Sequence, residues 1–187
     1  MKRREFLKSS IALTSVAAMS SSITAGAADP SKAAREFYEL RVYHLRQGPM
    51  MKRFEDFYRD TAVPAWNRAG VPTVGVFDLA VGPDAPAKYV LLPFKSLDAL
   101  QVAHEKFEAD DAVAKSEFAN VPPTDPAYIR TESSVLLAFS GLPKLEIPSQ
   151  VAEKKSRLFE LRTYEAHSRK ANKKAGQRSV QRAAALA

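Results

Sequence analysis

Cysteine is absent from the 187-residue chain. That excludes disulfides, thiolate metal sites, a thiol nucleophile and the lipid anchor that requires a cysteine at a leader cut site. No apolar stretch approaches the roughly 20 residues of a membrane-spanning helix, so no integral membrane anchor is expected. Histidine occurs three times, as His44, His104 and His167. None stands in a His-x-x-x-His or His-Glu-x-x-His spacing, and Glu105 after His104 completes no motif, so no metal is assigned. His44 and His104 could meet at a metal or haem only through the fold. A Gly-x-Ser-x-Gly elbow and a phosphate-cradling glycine loop are also missing, and no cofactor is assigned. The single tryptophan, Trp66, lies on an apolar helical stripe and reads as core rather than as a stacking platform.

Acidic residues are missing from the last stretch, which holds Arg169, Lys170, Lys173, Lys174, Arg178 and Arg182 for a net of +6. The first 27 residues carry +3. Of the overall +7, residues 28–168 therefore hold −2. A nucleic-acid binder concentrates its basic residues on the folded face, so a nucleic-acid partner is not expected.

The N-terminus reads Lys2-Arg3-Arg4-Glu5-Phe6-Leu7-Lys8, then a short apolar stretch from Ile11 to Met19, then Ala25-Gly26-Ala27. Basic region, apolar region and small-residue cut site are the three parts of an export signal. The paired arginines indicate the route that carries folded proteins. Residues 1–27 are read as a twin-arginine signal peptide and the remainder as periplasmic or extracellular.

Residues 37–45 alternate and are rich in aromatic and β-branched types, which predicts a strand. Gly48-Pro49 ends it, and Pro49 suits the first turn of a helix. Met51, Phe54, Phe57, Tyr58, Ala62 and Trp66 recur at helical spacing up to a stop at Gly70, with Pro64 set to kink or shorten the helix. Strands are predicted at 73–81 and 88–94, joined through the turn residues Gly82 to Pro86. Ser96 is a suitable cap for a second helix carrying Leu97, Leu100, Ala103, His104 and Phe107 on one face. After Pro122, Pro123 and Pro126, a fourth strand is predicted over 128–139. The order β-α-β-β-α-β is the ferredoxin-like plan of an α+β domain, with helices on one sheet face. The other face needs a cover, and a second copy of the sheet is the expected one, giving a homodimer by sheet-to-sheet packing.

A linker over 141–156 leads to Arg157-Leu-Phe-Glu-Leu-Arg-Thr-Tyr164. Glu160, Leu161, Arg162 and Tyr164 repeat Glu39, Leu40, Arg41 and Tyr43 at constant offset, as the opening of a tandem copy would. The Glu-Leu-Arg-x-Tyr strand, the long helix ending at Ala69-Gly70 and the Val74-Gly75-Val76-Phe77 strand together resemble the NIPSNAP family. The resemblance covers 36–140 and the first strand of a second copy. It implies a dimeric α+β barrel of ferredoxin-like type, often with two copies in tandem. It also places an acidic spot near Asp110 and Asp111, which as residues read simply as a solvated helix end. A full second copy would need about a hundred more residues. Residues 157–187 are therefore expected to be a truncated second copy with a basic tail, the other reading being a natural disordered tail.

Alternation along the first strand separates Tyr38, Leu40, Val42 and His44 from Phe37, Glu39, Arg41 and Tyr43. The more apolar set is expected under the helices, leaving Glu39, Arg41 and Tyr43 in the barrel interior as a candidate binding site. There they could orient a small molecule, or form a structural charge ladder filled by a tyrosine, the commoner outcome for such pairs. The functional expectation is an exported small-molecule-binding or interaction module. Similar barrels include cofactor-free monooxygenases, isomerases and haem-handling proteins, so an enzyme is one alternative, and a non-functional remnant is another. Replacing Arg3 and Arg4 by lysine should leave the chain unprocessed in the cytoplasm; its appearance in the periplasmic fraction at mature size would refute the export assignment.

Overall fold

A computed structural model describes residues 34–148, 151 and 157–184. The signal peptide assigned to residues 1–27 lies outside the described residues, as does part of the linker. Strand β1 (Phe37–His44) is followed by helix α1 (Pro49–Phe57), a π-helical turn (Tyr58–Ala62) and helix α2 (Val63–Arg68). Strands β2 (Gly75–Asp78) and β3 (Ala87–Phe94) come next, then helices α3 (Leu97–Glu108) and α4 (Asp111–Ala114). Strand β4 (Arg130–Leu137) and helix α5 (Arg169–Ala184) complete the described elements.

The four strands form one antiparallel sheet in the order β2-β3-β1-β4. That is the ferredoxin-like α+β arrangement, with β1 paired on both sides. Local chemistry sets the helix ends. Gly48 enters α1 with φ +93° before Pro49, and Gly70 leaves α2 with φ +100° while the Val71 N–H reaches back to the Trp66 carbonyl. Ser96 Oγ accepts from the Ala99 N–H at 3.0 Å to start α3. The expected effect of Pro64 appears as a change of pitch: the Val63 N–H donates to the Tyr58 carbonyl, five residues back. Pro64, which has no N–H to give, then sits in the first turn of α2.

The core lies between the helices and one sheet face. Phe54, Ala62, Trp66, Val90 and Leu92 are wholly inaccessible, and Met50, Tyr58, Val71 and Phe94 nearly so. Phe54 stacks on Tyr58 at 4.3 Å, Phe57 on Phe118 at 4.3 Å and Trp66 on Phe107 at 4.0 Å between ring centroids. Leu97, expected on the buried face of α3, is exposed.

Two expectations are corrected. The face assignment of β1 is inverted: Glu39 and Tyr43 are buried under the helices, while Tyr38, Leu40 and Val42 occupy the opposite face. Period-two alternation gives two sets without saying which is inside, and here both sets suit burial because Glu39 and Arg41 neutralise each other. Residues 157–164 do not form the first strand of a second copy. None of them is assigned to a strand, and the sheet's four strands all come from residues 37–137. The basic tail, read as the end of a partial copy or as disordered, forms α5, begun by Ser168 Oγ accepting from the Ala171 N–H. Leu92→Ala should lower stability by about 3 kcal/mol in urea titration, since it empties a fully enclosed site. Val81→Ala, at a highly exposed loop position, should leave the midpoint unmoved.

Candidate functional site

Glu39 and Arg41 project from the middle of β1 into the layer beneath the helices. A carboxylate and a guanidinium cannot enter that layer bare, and here each has several partners. Glu39 Oε1 accepts from Arg41 Nε at 2.7 Å and from Ser133 Oγ at 2.7 Å. Glu39 Oε2 accepts from Arg41 Nη2 at 3.2 Å and from His104 Nε2 at 2.7 Å. The Arg41–Glu39 contact is thus a two-pronged fork, the strongest geometry for this pair. Arg41 also lies over the Trp66 ring, 5.2 Å from its centroid, and the ring packs edge-on to His104 at 5.3 Å.

Each partner arrives from a different element for a structural reason. Arg41 and Ser133 are directly opposed in the β1–β4 register, so both side chains rise on the same face. His104 follows the buried Ala103 on α3, and Trp66 is on α2. A carboxylate can only accept, so His104 Nε2 carries a proton and in the neutral ring Nδ1 is left as an acceptor beside Arg41 Nη2, 3.3 Å away. Burial pushes the Glu39 carboxyl up, but the hydrogen bonds and charge of Arg41, with Ser133 and His104, hold it below the ordinary glutamate value. Arg41 is raised despite its burial, through Glu39 and Tyr43.

Tyr43 joins the same layer. Its hydroxyl accepts from Tyr58 Oη at 3.0 Å, and its ring packs against Phe54 and Tyr128. Burial raises the Tyr58 hydroxyl well above its usual value, so it acts as a neutral donor. The three residues named from sequence are therefore together, but in the helix–sheet layer and not on the open sheet face. Sequence reasoning missed His104 and Ser133 as their partners. The one signal for His104 was its place on the stripe with Leu100, Ala103 and Phe107, where an imidazole needs a buried partner. Nothing local marks Ser133. His44 lies across the sheet from His104 and bonds Glu132 and Arg130, so the two histidines do not converge. Asp110 caps α4 through the Ala112 and Val113 N–H groups and pairs with Arg68, a structural duty. In the second segment Arg162 pairs with Glu160 as Arg41 does with Glu39, but in an exposed stretch.

The cluster opens on one side. Glu39 is 5 % exposed at its side chain and Arg41 16 %, whereas His104 reaches 26 % and every residue of β4 is exposed. The Trp66 Nε1–H is buried among these groups without an acceptor among the described residues. What results is a neutral, prearranged set of donors with an imidazole and a hydroxyl at the rim, able to hold a small polar group.

Because Glu39 titrates below the ordinary 4.5, it stabilises the fold above that value, and this contribution is lost as pH falls below 4.5 through its own lower value. Glu39→Gln should remove part of the acid-side slope in a stability–pH profile. At neutral pH it should cost about 3 kcal/mol, since the Arg41 charge stays buried without its counter-ion. An unchanged acid limb would show that Glu39 is not coupled to folding in this way.

Comparison with known families gives a match to the NIPSNAP model over residues 38–140. Among solved structures, an uncharacterized NIPSNAP-like domain protein from Burkholderia xenovorans is 21 % identical, with 61 % of this chain and 94 % of that one covered and a TM-score of 0.49. A NIPSNAP family protein of unknown function from Agrobacterium tumefaciens is 18 % identical, with 56 % and 89 % covered and a TM-score of 0.47. No curated protein matches the chain. The family match spans more than half of the sequence and takes in all four strands but the first residue of β1, and the chain belongs to the NIPSNAP family.

Proposed function

We propose that this is an exported NIPSNAP-domain protein that binds a small molecule at the open side of the Glu39–Arg41–His104 network, and that it works as a homodimer. One observation carries the binding reading: the buried Glu39–Arg41 pair is continued toward solvent by His104 and the exposed Ser133, which bring an imidazole and a hydroxyl to the open side. The His104 imidazole and the Ser133 hydroxyl, the exposed groups of the network, suit a ligand with a carbonyl, carboxyl or hydroxyl group.

The dimer reading rests on the sheet face opposite the helices. Tyr38, Leu40 and Val42 of β1 lie there beside Pro93, Leu91 and Tyr89 of β3, an apolar surface across two paired strands. Phe77 of β2 adds to it and meets Phe159 at 5.1 Å. A second copy of the same face is the self-complementary cover that a twofold dimer supplies. The paired arginines and small-residue cut site near the N-terminus support delivery to the periplasm.

Native mass spectrometry of the mature chain, purified from its own periplasm, tests ligand and dimer together. The expected spectrum is a dimer with added mass, and Ser133→Val should shed that mass while the dimer persists. Arg41→Ala should shed it too, with a loss of stability. A bare wild-type chain, or added mass indifferent to both substitutions, would refute the binding reading, and a monomer would refute the dimer.

A further inference from the structure

The first turns of α5 face the end of β4 across a groove of about 1160 Å³. Its walls carry Arg35, ahead of β1, and Arg169, Lys170 and Lys173 of α5, with Phe139 and Asn172 between them. No aspartate or glutamate lines it. All four cations are exposed, and none makes an ion pair among the described residues. Arg35 Nη1 donates to the Ala138 carbonyl at 3.2 Å, which anchors that guanidinium at the groove wall and leaves its other donors uncommitted. Gathering four like charges into one recess opposes folding unless something offsets it, because like charges at close range repel.

The helix is brought there deliberately by its sequence. Gly176 is buried, and a Cβ at that position would lie 2.6 Å from the Phe139 ring. Glycine is the poorest helix former after proline, yet here it is what lets α5 close on the domain and complete the second wall. Arg35 and the α5 cations thus belong to one site only in the folded chain.

We propose that this groove is a binding site for a soluble ligand carrying two or more linked phosphate groups. Arginine forks and lysine ammonium groups are matched to phosphate oxygens, and four positive charges fit an anion of comparable charge. A bilayer of anionic lipid, being broad and flat, suits exposed cations outside the recess such as Lys174 and Arg178, which do not line it. The site shares no residue with the Glu39 network and does not depend on it.

Calorimetric titration of the full mature chain with inorganic tripolyphosphate tests this. Binding is expected, weakening as salt is added. Arg169→Ala combined with Lys173→Ala should reduce affinity by about tenfold or more. Gly176→Val keeps every charge but pushes α5 off Phe139, and should weaken binding comparably. Lys52→Ala combined with Lys106→Ala, removing two cations elsewhere, should change nothing. The double variant keeps the test decisive where circular dichroism shows that Gly176→Val unravels α5. The proposal is overturned if wild type does not bind, or if the Arg169/Lys173 variant binds as wild type does. It is also overturned if phosphatidylglycerol vesicles bind through Lys174 and Arg178 while tripolyphosphate does not bind.

Discussion

A glutamate and an arginine two residues apart on the central strand share a sheet face, so covering that face with helices buries both or neither. Dehydrating two opposite charges is costly unless their geometry is good and their remaining lone pairs and protons are used. The Glu39–Arg41 fork meets the first condition; Ser133, His104 and the Trp66 ring meet much of the second. These partners come from β4, α3 and α2. The network therefore constrains the strand register, the rotation of α3 and the depth of α2 together, and a shift in any one strands a charge. Aromatic packing around Tyr43, Phe54 and Tyr58 extends the same layer toward α1.

The central strand β3 is apolar on both of its faces. Beneath the helices, Val90, Leu92 and Phe94 alternate with Leu91 and Pro93 on the other side. Lys88, the polar exception among the inward-facing residues of β3, is satisfied by Glu55 and Asp78. A strand apolar on both sides belongs to a sheet covered on both sides. The helices supply one cover, and the opposite face carries the apolar residues on which the proposed dimer rests.

Charge is divided along the chain rather than across the fold. The domain body is close to neutral and pairs its ions locally: Arg53 with Glu117 and Asp125, Arg68 with Asp110, Arg59 with Asp56 and Asp60. The acid-free α5 has no such partners in its own sequence, and the groove it lines adds another cation, Arg35. The contrast separates a self-satisfied body from a segment whose electrostatics point outward.

The amino-acid sequence by itself determined what rests on neighbours in the chain. The element order, the Pro49 start, the Gly70 stop, the Ser96 cap and the effect of Pro64 all follow from side chains acting within a turn of themselves. The family resemblance could be read from the same local signals, as could the pairing of Glu39 with Arg41, because residues two apart in a strand always share a face. Tertiary structure decided what depends on distant partners. Alternation defines two faces of β1 but cannot rank them when a neutralised ion pair makes the polar face as buriable as the apolar one. His104 and Ser133 join Glu39 across 65 and 94 residues, a meeting set by helix docking and strand register. The same dependence on partners explains why Arg157 to Tyr164, with nearly the motif of β1, is no strand: the motif specifies which side chains alternate, while a strand exists only where another strand completes its hydrogen bonds.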